Sequence, residues 1–474
     1  MRQMTNALLL ALAVVMLAGL ALPPAHASAA TIEIFPSNAD ASCNEEFENR
    51  ANALKPGDVL ILHGGTYTQT CRRGITVNGT AANPITIRAA DGEVPILTRP
   101  QAANFNYNEN NFELDNSSYV IIRGLRFKGG DGGVSFNGGH HVTFENNEVY
   151  ETGNNALRLN SGNTDSYIIR GNHIHHTGLL ASSVGTTEGE GMYVGCNNAT
   201  CVASNHLIEG NYIHHTRGTS AGGNDGIEVK VGSYGNIIRN NVIHDTNIGM
   251  RYPCIFVYGG GSAPNIVEGN AMWNCGEAIQ VVADAVVRNN LILNSDVGIT
   301  ASPHVQVAQM RNVTIVNNTI YGHSACLIIG WSGATGMTLA NNAVYCAGAS
   351  GVQASGLSGG TITVRSNYVT GSLSGASLDN ARFFSGGNAT SAFTNPSLLD
   401  FWPPPASVLI GKADGGFTPP LDFNERTRRS PFDVGAYETD GLAANPGWKV
   451  VPGFKQTSGS SSNTPSTPTS LRAQ

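Results

Sequence analysis

The sequence predicts an all-β fold, a single-stranded right-handed parallel β-helix (β-solenoid) with an N-terminal helical cap. Three observations predict it. Nine times the chain writes Asn, any residue, then an aliphatic or Met side chain, with the Asn at 147, 172, 211, 241, 270, 290, 318, 342 and 367. The successive spacings, 25, 39, 30, 29, 20, 28, 24 and 25 residues, suit a unit that closes one coil each time. Short β-rich runs such as IIR, TIV and ITV stand before these Asn residues, glycine reaches 57 of 474 positions, and charged residues make up only 13%. Helix-period patterns are scarce. Stacked coils place each Asn on the next inside a tight turn, amide to amide, with aliphatic side chains filling the lumen.

Residues 1–27 read as a secretory signal: Arg2, the apolar run Ala7 to Leu22, then the small-x-small site Ala25-His26-Ala27. No second apolar stretch is long enough to span a bilayer, so a soluble exported protein, extracellular or periplasmic, is expected. Residues 28–78 are the N-terminal cap, whose segment EEFENRANAL is an amphipathic helix able to cover the open end of the lumen. The β-helix is expected over 79–375. It opens with NPITIRAADGEVPIL (Asn83 to Leu97) and YVIIRGLRF (Tyr119 to Phe127), where Leu125 takes the Asn position. A proline-rich segment, 376–439, ends in DVGAYE and is expected to fold back as a cover. The Ser/Thr/Pro-rich stretch 440–474 is expected to be disordered. Eight cysteines suit an oxidising compartment and fall into local pairs: Cys43 with Cys71, Cys196 with Cys201, Cys254 with Cys275, and Cys326 with Cys346. Inward-facing free thiols are the alternative. A formal net charge of −7 argues against a nucleic-acid partner, and a monomer is expected.

Each coil divides into three strands. The strand after the longest loop recurs as NALRLNSG, EGMYVG, DGIEVKVG, PCIFVYGG, EAIQVVA and VGITASP, and is called the GI strand here. Alternation sends Leu157, Met192, Ile227, Ile255, Ile279 and Ile299 inward. The outward residues then align from coil to coil as Arg158, Tyr193, Glu228, Phe256, Gln280 and as Asn160, Gly195, Lys230, Tyr258. At the start of the strand stand Asn155, Glu190, Asp225 and Glu277, with Pro253 interrupting. The loops Leu179 to Gly189, Arg217 to Asn224 and Asn247 to Tyr252 enlarge one side of the same coils, as the walls of a binding groove do.

A groove along stacked coils suits a linear polymer, and acids with a Lys, an Arg and aromatics suit an acidic polysaccharide. β-Elimination uses this mixture, because the proton α to a uronate carboxylate is removed only when that carboxylate is neutralised and a base is at hand. Glu190, Asp225 and Glu228 are candidate Ca²⁺ ligands. Lys230 is the candidate base, if nearby positive charge lowers its pKa. Arg251 is its partner at the intermediate or in proton return. Arg158, Tyr193, His214, His244, Phe256 and Tyr258 are candidate substrate-binding residues, the three aromatics as a stacking platform.

The stretches NPITIRAADGEVPIL, YVIIRGLRF and DGIEVKVGSYGNIIRNNVIHDTNIGMR resemble the secreted parallel β-helix polysaccharide lyases of the pectate-lyase superfamily, nearest the alginate lyase and chondroitinase B type. The resemblance in fold runs over residues 31–438. It implies a Lys and an Arg on adjacent coils beside a Ca²⁺ held by acids. Lys230 and Arg251 match that arrangement, and Asp225 falls where an acidic ligand stands. Two positions depart. The family carries a further acid two residues before the Asp225 position, where Gly223 stands. Its Arg sits in a Leu-Arg-His-Gly-like run, where this chain has Met250-Arg251-Tyr252-Pro253.

Blander readings stay open beside these. Glu228 and Lys230, two apart on one strand face, also read as a solvated pair, and Glu188 and Glu190 as exposed loop acids. His175, His176, His214, His215 and His244 with Asp245 follow from the repeat itself, from substrate carboxylate binding, or from a transition metal without an evident ligand triad. Paired Asp225 and Glu228 also fit a glycoside hydrolase. A non-catalytic glycan-binding or cell-surface β-helix is the reading from another class.

Overall fold

The computed structural model describes residues 29–36, 46–100, 109–180, 188–218, 223–246, 252–359 and 361–456. The expected signal segment, Cys43 of the first expected disulfide, and Arg251 lie outside the described residues.

The coils stack in parallel register as three long sheets. The GI sheet contains Leu157–Leu159, Met192–Val194, Ile227–Val229, Pro253–Val257, Glu277–Val281 and Val297–Ala301. A second sheet contains Ile168–Arg170, Leu207–Glu209, Ile237–Arg239, Asn265–Glu268 and Ala283–Arg288. A third contains Glu148–Tyr150, His173–His175, Tyr212–His214, Val242–His244, Ala271–Trp273 and Leu291–Leu293. Strands of three residues suffice because each has a neighbour above and below, and because alternation gives each an inward aliphatic. Ile169, Ile208, Ile238 and Val267 of the second sheet and Ile174, Ile213, Ile243 and Met272 of the third are fully buried in the lumen.

The nine Asn residues form one continuous ladder in the turn between the second and third sheets. Asn241 shows the pattern. Its Oδ1 accepts from the backbone N–H (2.9 Å) and Nδ2 (3.0 Å) of Asn211, while its Nδ2 donates to Ile208 O (3.0 Å) and to Asn270 Oδ1 (3.0 Å). The same pattern runs from Asn147 to Asn367, and below it Leu125 N–H donates to Asn147 Oδ1 at 3.0 Å. A buried amide is costly unless its donors and acceptors are met, and here each rung meets those of its neighbours. The residue before each ladder Asn is left-handed, with φ between 49° and 65°, which explains why that position is always Gly, Asn or Ser.

At the start of the solenoid, the helix Glu46–Asn52 lays Phe47 and Ala51, four residues apart on one face, over the first coils. Phe47 lies 6.2 Å from Phe112, which continues into Phe127 and Phe144 along the lumen.

The C-terminal segment runs back along the flank as a strap on the outer face of the third sheet. It builds a second core in which Phe393, Phe401, Trp402, Phe423 and Tyr437 meet Val242, Ala271, Leu291 and Leu293. Its polar anchors are the left-handed turn residues beside the ladder: Asn240 Nδ2 donates to Glu425, Arg428 donates to Asn289 Oδ1 (2.8 Å), and Asn341 Oδ1 accepts from Asp414 N–H (2.7 Å). The expectation of disorder from residue 440 onward is corrected as far as Gln456. Trp448, Val450 and Lys455 are buried, and Lys455 Nζ donates to Asn240 Oδ1, Gly269 O and Phe423 O at 2.7–2.8 Å. Three acceptors that match the three donors of an ammonium fix this end of the chain.

Three expected disulfides form: Cys196–Cys201 closes a loop, and Cys254–Cys275 and Cys326–Cys346 each tie one coil to the next. Among the described residues no helix is long and apolar enough to cross a membrane. The ladder yields a prediction. Asn241→Ala takes the side-chain acceptor from Asn211 N–H and removes one partner each from Asn211 Nδ2, Ile208 O and Asn270 Oδ1, so urea unfolding should show a loss of roughly 3 kcal/mol or more. A loss within the usual range for exposed sites, about 0.5 kcal/mol, would remove the ladder from its proposed role.

Candidate functional site

The site is built from the residues that start each GI strand. A buried threonine closes the base of each large loop: Thr177 Oγ1 donates to Gly189 O, Thr216 Oγ1 to Asn224 O (2.5 Å) and Thr246 Oγ1 to Tyr252 O (3.2 Å). These bonds span 12, 8 and 6 residues, so the loops differ in length while the next residue emerges at one height. That next residue is Glu190, Asp225 or Pro253. The middles of these loops lie outside the described residues.

Glu190, Asp225 and Glu228 converge, each with a carboxylate oxygen within 4.8 Å of the others, and all three are buried. Asn155 Nδ2 donates to Glu190 Oε2. Asp225 Oδ1 is buried without a hydrogen-bond partner. Gly223 takes part through what it lacks: a Cβ there would stand 2.7 Å from Glu190 Oε1 and 3.0 Å from Asp225 Oδ2. Glycine at this position leaves room for the carboxylate that Glu190 brings from the preceding coil.

Lys230 is the cation of the cluster. Its Nζ donates to Glu228 Oε1 at 2.6 Å and lies 4.8 Å and 4.6 Å from the ring centres of Tyr193 and Tyr258, as cation–π partners do. The Tyr258 hydroxyl donates to the same Glu228 Oε1 at 3.1 Å. Burial, then the charges of neighbouring carboxylates, push the pKa values of Glu190 and Asp225 well above the usual carboxylate range. Burial also raises Glu228, against the pull of Lys230. One ammonium does not balance three buried carboxylates, so a divalent cation held by oxygen ligands fits this donor set.

The register puts Arg158, Tyr193, Glu228, Phe256 and Gln280 in one column. Three readings of these columns need correction. Tyr193, Phe256 and Tyr258 are only 4–5% exposed, so they are not an open stacking platform: Phe256 and Tyr258 stack on each other at 3.9 Å, and Tyr193 and Tyr258 sandwich Lys230. Glu228 and Lys230 are a buried ion pair rather than a solvated one. The positive neighbour expected beside Lys230 is not found among the described residues, where the group that its Nζ contacts is the Glu228 carboxylate. Arg158 stays in the GI column, where it donates to Asn110 Oδ1 at 3.3 Å. His214 and His244 lie on the third sheet, a different face of the solenoid.

Sequence reasoning missed what covers the site. The loop after Val297–Ala301 carries His304 edge-on to Phe256 (5.5 Å) and Tyr258 (4.8 Å), and Gln306 Nε2 reaches Asn197 Oδ1 (3.3 Å) in the loop closed by the Cys196–Cys201 disulfide. No motif marks this loop. It also missed Glu148 beside His173 and His175. The signal was present, since reading the first and third residues after each ladder Asn aligns Glu148 over His173 and Tyr150 over His175.

A family model for the right-handed β-helix region matches residues 71–221 and 201–344. The chain belongs to this family. Among solved structures, this β-helix protein is similar to the PL6 family alginate lyase AlyGC, with 17% identity and a TM-score of 0.53 over 89% of this chain and 59% of that one. It is similar to pectate lyase Pel9A, with 16% identity and a TM-score of 0.50 over 87% and 97% of the two chains. The alginate lyase from Paenibacillus sp. str. FPU-7 matches at 22% identity and a TM-score of 0.47 over 71% and 99%. The two likenesses with TM-scores of 0.53 and 0.50 show a shared fold. No curated protein sequence matches the chain.

The buried acids set a pH dependence for cation-free protein. Their folded pKa values are raised, so above the ordinary values of 3.8 and 4.5 the folded state holds more protons than the unfolded one. Stability is greatest at lower pH and falls as pH rises through the raised values. Asp225→Asn removes one buried charge. With chelator present, the variant should melt above wild type at neutral pH, with a shallower decline from pH 4.5 upward. Parallel pH profiles for the two proteins would show that the cluster does not hold its protons.

Proposed function

We propose that this β-helix protein is an exported lyase that cleaves a uronate-containing polysaccharide by β-elimination in the GI-sheet groove. One observation carries the reading: three buried carboxylates, one of them with an unpartnered oxygen, meet a buried lysine across two adjacent coils. Glu190, Asp225 and Glu228 would hold Ca²⁺, which supplies neutralisation of the substrate carboxylate and so acidifies its α proton. Lys230 takes that proton as the neutral amine, its ammonium having first given a proton to solvent once Glu228 is engaged elsewhere. The electron pair left on carbon forms the double bond as the glycosidic C–O bond breaks, and the departing oxygen takes a proton. The Tyr258 hydroxyl, which meets Glu228 Oε1 beside Lys230 and is kept protonated by burial and the Glu228 charge, would give it, and the tyrosinate would recover a proton from the Lys230 ammonium. Arg251 is assigned to the intermediate from its place in the sequence. The three formed disulfides fit an exported protein.

The direct test is incubation with alginate, pectate, glucuronan and glycosaminoglycans, with and without Ca²⁺, following unsaturated-product absorbance and reducing ends together. Both signals rising, with Ca²⁺ required, is the expected result. Reducing ends alone indicate a hydrolase, and binding without products a glycan-binding module. Lys230→Gln is the informative variant, since Ala would leave Glu228 buried with the Tyr258 hydroxyl as its one remaining donor. Turnover should fall about 10²- to 10⁴-fold with the fold retained. Near-normal turnover in Lys230→Gln would exclude the lysine as base.

A further inference from the structure

On the third sheet, away from the groove, Glu148 and His173 are register partners on adjacent strands, and His175 follows His173 on the same outward face. Glu148 Oε1 lies 3.1 Å from His175 Nε2 and 3.5 Å from His173 Nδ1. All three are partly open to solvent, at 14–21% exposure. Ligand atoms around a tetrahedral Zn²⁺ stand about 3.4 Å apart, given metal–ligand bonds of roughly 2.0–2.2 Å. The two separations bracket that value.

Each of the three also has its other polar atom held. Glu148 Oε2 accepts from Arg126 Nε at 2.9 Å, His173 Nε2 faces His214 Nε2 at 2.9 Å, and His175 Nδ1 faces His176 Nδ1 at 2.7 Å. With His173 protonated at Nε2 and His175 at Nδ1, both lone pairs point to the Glu148 oxygen, and His214 and His176 accept the outward protons. Partners of this kind orient metal-bound imidazoles and carboxylates. Imidazole with carboxylate suits a borderline divalent ion better than Ca²⁺, which takes oxygen ligands.

We propose that Glu148, His173 and His175 form a Zn²⁺ site with one position open to solvent, separate from the acidic cluster of the groove. The neighbouring group His215, His244 and Asp245 is the competing place. Its His215 Nδ1 to Asp245 Oδ2 distance is 3.8 Å, and His244 Nε2 already meets the Tyr212 hydroxyl at 3.0 Å.

The test is calorimetric titration of the chelator-stripped, desalted full chain with ZnCl₂ in excess Ca²⁺. One stoichiometric Zn²⁺ is expected. Its affinity should fall at least about tenfold in Glu148→Gln and His175→Gln and be unchanged in Asp225→Asn. Zn K-edge absorption on wild type, which needs no variant to fold, should show two imidazole nitrogens and carboxylate oxygen. Absence of stoichiometric uptake would overturn the proposal and leave a hydrogen-bonded histidine row. An oxygen-only shell would overturn it, as would uptake kept in His175→Gln but lost in His244→Gln.

Discussion

A buried amide must find partners, and in this chain that requirement fixes everything else. Each inner ladder Asn meets its donors and acceptors on the Asn of the coil below, the Asn of the coil above and a backbone carbonyl. A slip that brings up the residue after the ladder Asn, such as His173, Tyr212 or Val242, would put a side chain there that cannot replace the amide. Coil length is free by comparison. Between Asn172 and Asn211 the chain takes 39 residues and between Asn270 and Asn290 only 20, yet both pairs bond at 2.9–3.0 Å. The excess is expelled into loops, which the threonine bonds close at their bases.

Fixed register is what allows side chains distant in sequence to act together. Glu190, Asp225 and Glu228 come from two coils and meet because the strands that carry them are locked in phase. The cluster works against the fold, since three buried carboxylates beside one lysine cost desolvation and repulsion. Lumen packing, the ladder and the coil-linking disulfides offset that cost. The strap stabilises from outside. It buries Trp402, Phe423 and Tyr437 on the third sheet and spends its polar contacts on turn residues whose left-handed backbone already points their side chains outward.

The ladder and the three-sheet coil were legible because they repeat, and a repeat can be checked against itself. The GI columns were legible for the same reason, since alternation fixes which side chains face out. What faces out need not be exposed. Tyr193 and Tyr258 are buried against Lys230, Phe256 is buried against Tyr258, and His304 leans over Phe256 and Tyr258, contacts that no single coil encodes. Gly223 reads as a missing acid in sequence and as room for Glu190 in space. The ends of the strap were illegible because Trp448 and Lys455 occur once each, in a stretch whose composition resembles a disordered tail. Glu148 was overlooked because it follows the first ladder Asn, one coil before the histidines begin.

In the proposed function the groove cluster is a cation site that faces a uronate. A crystal structure of the protein with Ca²⁺ and a uronate oligosaccharide, trapped in Lys230→Gln, tests that most directly. It should show the ion roughly 2.3–2.6 Å from oxygens of Glu190, Asp225 and Glu228, with residue 230 facing the carbon that bears the acidic proton. An oligosaccharide seated on another face, or an ion bound without Asp225, would contradict it.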